Sequence, residues 1–141
     1  MIRKYIKGDA QKITAQKEQA EEAQLFASCF DYIHAYTLVD KTGKIYAVFG
    51  WRQTDDISGE CFALLGDNCQ SKLLEIVRFF NAEMPRVMQR YHFKYAFMTV
   101  KKKFIEARRL AELLGFSLVA DLPLFFDGLD YQLFKRENLS C

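Results

Sequence analysis

Few side chains in this 141-residue sequence could do chemistry, and most of them stand apart. The cysteines Cys29, Cys61, Cys69 and Cys141 form no C-x-x-C pair, and the histidines His34 and His92 are distant from each other. Zinc needs a cluster of such ligands at close spacing, so no metal centre is expected. Cys61 and Cys69 would react only as thiolates, and a free cysteine more often serves as a small buried hydrophobe. Lys101, Lys102 and Lys103, with Arg108 and Arg109 beyond them, could gather phosphate or nucleic acid. The plainer reading is a solvated corner between a strand and a helix, with no aromatic platform for bases. His92 reads as a capping or surface residue ahead of a catalytic base. Trp51 reads as packing ahead of a substrate wall.

The composition is that of a soluble globular protein. Half the residues are apolar, 27% are charged, and thirteen phenylalanines must largely fill a core. A net charge of +2 is too small to argue for nucleic acid or an anionic membrane. No apolar run approaches the roughly 20 residues of a membrane span. The first ten residues, MIRKYIKGDA, have charges without an apolar stretch behind them, so no secretory signal is expected. Free thiols then point to a reducing cytoplasm.

The elements that must position these residues are organised around His92–Phe116. Phe93–Val100 is a strand-like run, and Phe104, Ala107, Leu110, Ala111 and Leu114 then recur at helical spacing. Gly115 ends the helix, and Phe116 leads into another strand. Ahead of this, Ile2–Ile6 reads as a strand, and Asp9 as the N-cap of a helix through Lys12, Ile13 and Gln16. Lys17–Phe30 reads as a second helical segment. Two β-rich runs around Lys41–Gly43 form a hairpin signature, and Glu60–Leu65 follows as a third strand of an antiparallel meander. Gly50 suggests a bulge or a strand end. Ser71–Tyr91 is a long amphipathic helix through Leu73, Val77, Phe80, Met84 and Val87 or Met88, with Pro85 inside it and a kink or break therefore expected near Asn81–Met84. Ser117–Leu122 and Asp130–Lys135 close the chain as a hairpin. The Phe79-Phe80 and Phe125-Phe126 pairs each read as one residue in and one out. No repeat or linker interrupts residues 1–141, which read as one α/β domain. Its mixed central sheet combines a meander with a right-handed β-α-β crossover, and helices cover both faces.

This order of elements resembles the GNAT acyl-CoA-dependent N-acetyltransferases along nearly the whole chain. IRKYIKGDAQKI is similar to their opening strand and helix-capping Asp. TLVDKTGKIYAVFGW is similar to their second and third strands, EARRLAELLGF to their Leu-Gly-Phe helix ending, and YQLFKR to their last strand. The resemblance implies acetyl transfer from acetyl-CoA to an amine. The backbone near Ala63, Leu64 and Leu65 would pair with the pantetheine arm, and the turn Gly66, Asp67, Asn68, Cys69, Gln70, Ser71 and Lys72 would hold the pyrophosphate. Glu60 is the one candidate base on the third strand of the meander.

The sequence departs from the family in two places. Its turn keeps one glycine of the usual [Arg/Gln]-x-x-Gly-x-[Gly/Ala] and adds the negative Asp67, which reads as a degraded CoA loop. Phe104 and Ala111 stand where the family often has Asn and a proton-donating Tyr. LLGFSLVADLPLFFDGLDYQLFKR is similar to the ending of small GNAT-like proteins of tailed phages and prophages, including an internal virion protein. Two functions follow from the resemblance. One is a phage-type N-acetyltransferase-like protein acting on an amine. The other is a non-catalytic GNAT-fold protein, virion-associated and oligomeric, that works by protein contact.

Overall fold

Short β-forming runs at the start of the chain find partners on later ones. Strand β1 (Ile2–Lys4) lies antiparallel to β2 (His34–Val39), with Ile2 opposite Leu38 and Lys4 opposite Tyr36. β2 returns antiparallel as β3 (Ile45–Gln53), as the hairpin signature requires. The Asp40 carboxylate organises the turn between them: it accepts the Thr42 hydroxyl at 2.7 Å, the Thr42 and Lys44 N–H groups, and the Tyr46 hydroxyl. Those bonds, led by the Thr42 hydroxyl, outweigh desolvation and pull its pKa down to about 2. Next come β4 (Ser58–Leu65), a 3-10 turn (Cys69–Lys72), helix α2 (Leu73–Arg90), β5 (Tyr95–Lys101), α3 (Ile105–Leu113), β6 (Ser117–Phe126) and β7 (Leu129–Glu137). Helix α1 (Asp9–Lys12) is a single turn near the start.

The computed structural model describes residues 1–14, 34–67 and 69–137. The expected helical segment Lys17–Phe30 and the candidate site residue Asn68 lie outside the described residues. The sheet has seven strands in the order β1-β2-β3-β4-β5-β7-β6. It is mixed, with β4 and β5 parallel and the pairs β1–β2, β2–β3, β5–β7 and β6–β7 antiparallel. The expected mixed α/β fold is therefore observed. By contacts, the chain divides into two compact units. One holds Met1–Arg52 and Phe62–Ile76, the other Gln53–Cys61 and Val77–Cys141.

In the first unit the organising group is Asp9, which is 1% exposed. Arg3 grips its carboxylate with two nitrogens, at 2.7 and 3.1 Å, while the Ile6 N–H and the Thr37 hydroxyl donate at 2.9 and 2.7 Å. The expected helix cap is therefore corrected. Gly8 occupies the N-cap position at φ 95°, and Asp9 is the first helical residue, its oxygens turned to Arg3, Ile6 and Thr37. Ala10, Val39, Ile45, Val48 and Leu64 form the adjoining core, with Tyr5, Ile13, Ala35 and Phe62 packed against it. Gly50 is also corrected. It sits inside β3 opposite Ala35, and a Cβ there would meet the His34 carbonyl oxygen at 2.1 Å. Close approach of two backbones, not a bulge, requires the glycine.

In the second unit, β5 alternates as a half-buried strand should, with Ala96, Met98 and Val100 inward. Helix α2 runs unbroken through Pro85, so no break occurs there; Ile76, Met84 and Met88 are its most buried residues. Helices α2 and α3 end in the same way. The Phe116 and Gly115 N–H groups donate to the Ala111 and Glu112 carbonyls, and the Phe93 and His92 N–H groups to those of Met88 and Gln89. These are Schellman endings. His92, at φ 58°, takes in α2 the left-handed place that Gly115 takes in α3. Arg136 donates to the Leu114 carbonyl at 2.8 Å and to Asn81 Oδ1 at 3.2 Å, placing a cation at the C-terminal end of α3. Desolvation lowers its pKa. β6 is the last strand of the sheet and longer than expected; Pro123 lies within it, Leu124 has φ 51°, and its register with β7 shifts after Leu122. Phe125 is exposed, Phe126 is half-buried, and Phe79 and Phe80 are both half-buried, so the second pair does not divide one in and one out.

Burial acting alone would raise the Asp9 pKa. The hydrogen bonds from Arg3, Ile6 and Thr37, with the Arg3 charge, hold it below the ordinary aspartate value instead. Its contribution to stability is therefore present above the unfolded pKa of about 3.9, and is lost as pH falls below that toward the folded value. Asp9→Asn should cost about 2–4 kcal/mol at neutral pH, because Arg3 and Thr37 lose a charged acceptor. Urea midpoints of the two proteins should converge as the pH is lowered through that window, and midpoints differing equally at every pH would refute the assignment.

Candidate functional site

Strand β4 carries the candidate base. Its parallel register with β5 runs from Ser58 opposite Tyr95 to Glu60 opposite Phe97, and Glu60 is half-buried at the last paired position. Burial, with the negative charge of Glu60 added, pushes the neighbouring Cys61 thiol up to about 12, against the opposing pull of Arg136. Cys61 and Cys69 are both buried, and a thiol at about 12 carries no useful thiolate at neutral pH. Further along β4, Ala63 is half-buried while Leu64 and Leu65 are core residues at 4% and 1% exposure. Any ligand along that segment would therefore be met by backbone rather than by these leucine side chains.

The turn after β4 is built from its amides. The Gly66 N–H donates to the Tyr46 carbonyl at 2.8 Å, and the Asp67 N–H to the Thr14 carbonyl at 2.9 Å. The Cys69 N–H turns back onto the Gly66 carbonyl at 3.3 Å. A Cβ on Gly66 would stand 2.9 Å from the Tyr46 oxygen and 3.2 Å from Ile13, so protein occupies the side left open by the missing side chain. Around the turn, Lys44 lies 4.0 Å from Asp67, and Lys72 lies 3.7 Å from Glu75. Both ammonium groups also stand over the Tyr46 ring, at 5.2 and 5.8 Å. Gln70 and Ser71 belong to the 3-10 turn, both largely on its outer side. Lys44 and Tyr46 were missed at the sequence level, because nothing local ties them to a turn some twenty residues away.

The last helix offers no polar group at the two positions where the resemblance looks for one. Phe104 and Ala111 are core residues, 3% and 0% exposed. The basic corner is partly neutralised: Lys102 lies 3.8 Å from Asp121, and Arg108 donates to the Lys102 carbonyl at 3.2 Å. Trp51 is buried and stacked on His34 at 4.4 Å, which is packing. His92 is exposed and serves the α2 ending. Among the described residues, no group of three or more His, Cys, Asp and Glu is gathered that could hold a metal, and no helix is long and apolar enough to cross a membrane.

This sheet order, with the parallel β4–β5 pair and a crossover helix between them, defines the fold of the GNAT N-acetyltransferases. Solved structures of that class superpose on nearly all of the chain. A GNAT-family acetyltransferase from Bacillus anthracis is 9% identical, with a TM-score of 0.71 over 97% of this chain and 93% of its own. A ribosomal-protein-S5-alanine acetyltransferase from Vibrio fischeri is 13% identical, with a TM-score of 0.67 over 98% and 92%. A point mutant of the spermidine N-acetyltransferase SpeG from Vibrio cholerae is 13% identical, with a TM-score of 0.67 over 98% and 93%. At such identities the likeness is one of fold. No family model matches the sequence, and no curated protein matches it.

The fold class implies acetyl-CoA, and the turn can be tested for it. An amide cradle for a pyrophosphate needs N–H groups directed at the anion. Here the Gly66, Asp67 and Cys69 amides are directed at protein carbonyls, and the Asp67 carboxylate adds a negative charge. These residues do not fit such a cradle. Gly66 is therefore expected to matter for stability: Gly66→Ala should cost about 1–3 kcal/mol through the contact with the Tyr46 backbone. Chemical denaturation reads this directly, and a neutral substitution would mean that the turn is not packed as described.

Proposed function

We propose that the chain, acting as one domain over residues 1–141, is an N-acetyltransferase-like protein of the phage and prophage type. It would move an acyl group from a thioester to an amine, using a CoA loop that has lost its diphosphate grip. The observation carrying this reading is the parallel β4–β5 pair, which ends at Glu60 opposite Phe97 within a fold matched end to end by acetyltransferases. Glu60 is the group assigned to accept the proton of the attacking amine. It is half-buried on β4, at the last position paired with β5. The backbone of Ala63–Leu65 is assigned to align the donor. Polyamines and protein N-termini are the first acceptors to try, because the solved neighbours are named for spermidine and for the alanine of ribosomal protein S5. The place of action would be the cytoplasm of a bacterium or an infected host.

A second reading is favoured by a different observation. The turn amides are spent on protein carbonyls, and Phe104 and Ala111 are packed into the core. A GNAT-fold protein that acts only by contact, on a virion component for example, needs neither an anion cradle nor a proton donor in the last helix.

Acetyl transfer to spermidine and to a peptide amine separates the two readings. On the acyl-transfer reading, Glu60→Gln should lower kcat/KM by about 10²–10⁴-fold while the urea midpoint stays close to the parent value. Transfer that survives Glu60→Gln unchanged removes Glu60 as base. A folded protein that transfers acetyl to neither acceptor selects the contact reading.

A further inference from the structure

Strand β6 stands last in the sheet order. β7 pairs along its inner side, and no strand among the described residues pairs along its outer side. Leu118, Val119, Leu124 and Phe125 are 46–74% exposed on it. Their spacing is symmetric: the two apolar pairs stand equally far from the step between Asp121 and Leu122, with Ala120 and Pro123 inside them. Laid antiparallel on a copy of itself about that centre, the strand puts Leu118 opposite Phe125 and Val119 opposite Leu124. A twofold axis generates this arrangement, because every contact between the copies is then made twice with the roles exchanged.

The margin asks for no charge from a partner. Asp121 is the one ionisable residue of β6, and it already accepts from Gln132 Nε2 at 2.9 Å and lies 3.8 Å from Lys102. An identical apolar margin answers it better than a charged surface would. The areas agree. Covering those four side chains would take roughly 450 Å² of apolar surface from water on each copy, over half of the ~800 Å² per partner of a standard interface. Leu129, 37% exposed on the neighbouring strand, adds to it. The backbone restricts the mode of contact. The register of β6 on β7 shifts between Leu118 and Ala120 and again between Leu122 and Phe126, and Pro123 has no N–H to offer. Backbone pairing between two copies is thus confined to the centre, and the apolar pairs at the ends supply the contact.

We propose that β6 is the docking surface for a second copy of this chain, the two strands antiparallel about a twofold axis at Asp121–Leu122. The pairing depends on neither reading of the function.

Sedimentation velocity of the full chain over a concentration series tests it. The parent should pass from monomer to dimer across the micromolar range and stop there. A parent that stays monomeric through hundreds of micromolar overturns the proposal, as does growth beyond the dimer. Leu124→Asp and Val119→Lys alter exposed positions, and aspartate tolerates the left-handed backbone at Leu124. Each alone should weaken dimerisation by about tenfold or more while the urea midpoint stays close to the parent value. Mixed in equal amounts, the two variants should dimerise more tightly than either alone, because the introduced ammonium of one then faces the introduced carboxylate of the other. Dimers unweakened in both variants, or a mixture no tighter than its components, overturn the assignment to β6. Should either substitution unfold the chain, the parent's own concentration series decides.

Discussion

A single buried carboxylate ties together the beginning of this protein. Asp9 accepts hydrogen bonds from a strand-borne guanidinium, from a backbone amide three residues earlier, and from a hydroxyl on the neighbouring strand. Each of these partners, unpaired, would leave a polar group buried or a charge unanswered, so the four groups are stable only together. That mutual requirement fixes β1 against β2 and sets the direction in which the chain enters α1. It also brings Thr14 to where it can receive the Asp67 amide, so a network at the start of the chain shapes a turn far along it.

The same accounting of donors and acceptors separates fold from function here. A backbone amide can serve packing or a ligand, and in the turn after β4 the observed bonds assign three amides to packing. A sheet matched end to end by acetyltransferases can therefore carry a turn whose amides serve another purpose. A shared fold sets the scaffold, whereas the hydrogen bonds of a few loop residues decide what can be held.

Much of the fold was legible because the signals that mark it are local. The alternation in Tyr95–Lys101, the three- and four-residue spacing through Met84 and Met88, and Gly115 behind Leu114 each report on their own element, and each element is present. Two of the misreadings share one cause: the deciding partner is distant in sequence. Asp9 looked like a cap because the competing acceptor role depends on Thr37, and Gly50 looked like a bulge because the backbone that crowds it belongs to His34. At the candidate site, the loss of the second loop glycine was visible from sequence. The commitment of the surviving glycine to Tyr46 was not. His92 falls between these cases, since a histidine at the left-handed end of a helix follows no pattern strong enough to read locally.

The outer strand β6 has a consequence for how the protein behaves at high concentration. Leu118, Val119, Leu124 and Phe125 are between 46% and 74% exposed on a strand that ends the sheet, a composition that invites other chains to add on. Pro123 brings no amide hydrogen, the Leu124 N–H is taken by Asp130 at 3.0 Å, and the left-handed backbone at Leu124 bends the strand out of line. The row of edge donors is thus cut short after Leu122. The edge that another chain would have to follow is therefore shorter than the strand itself, which limits how far a further strand could pair along it.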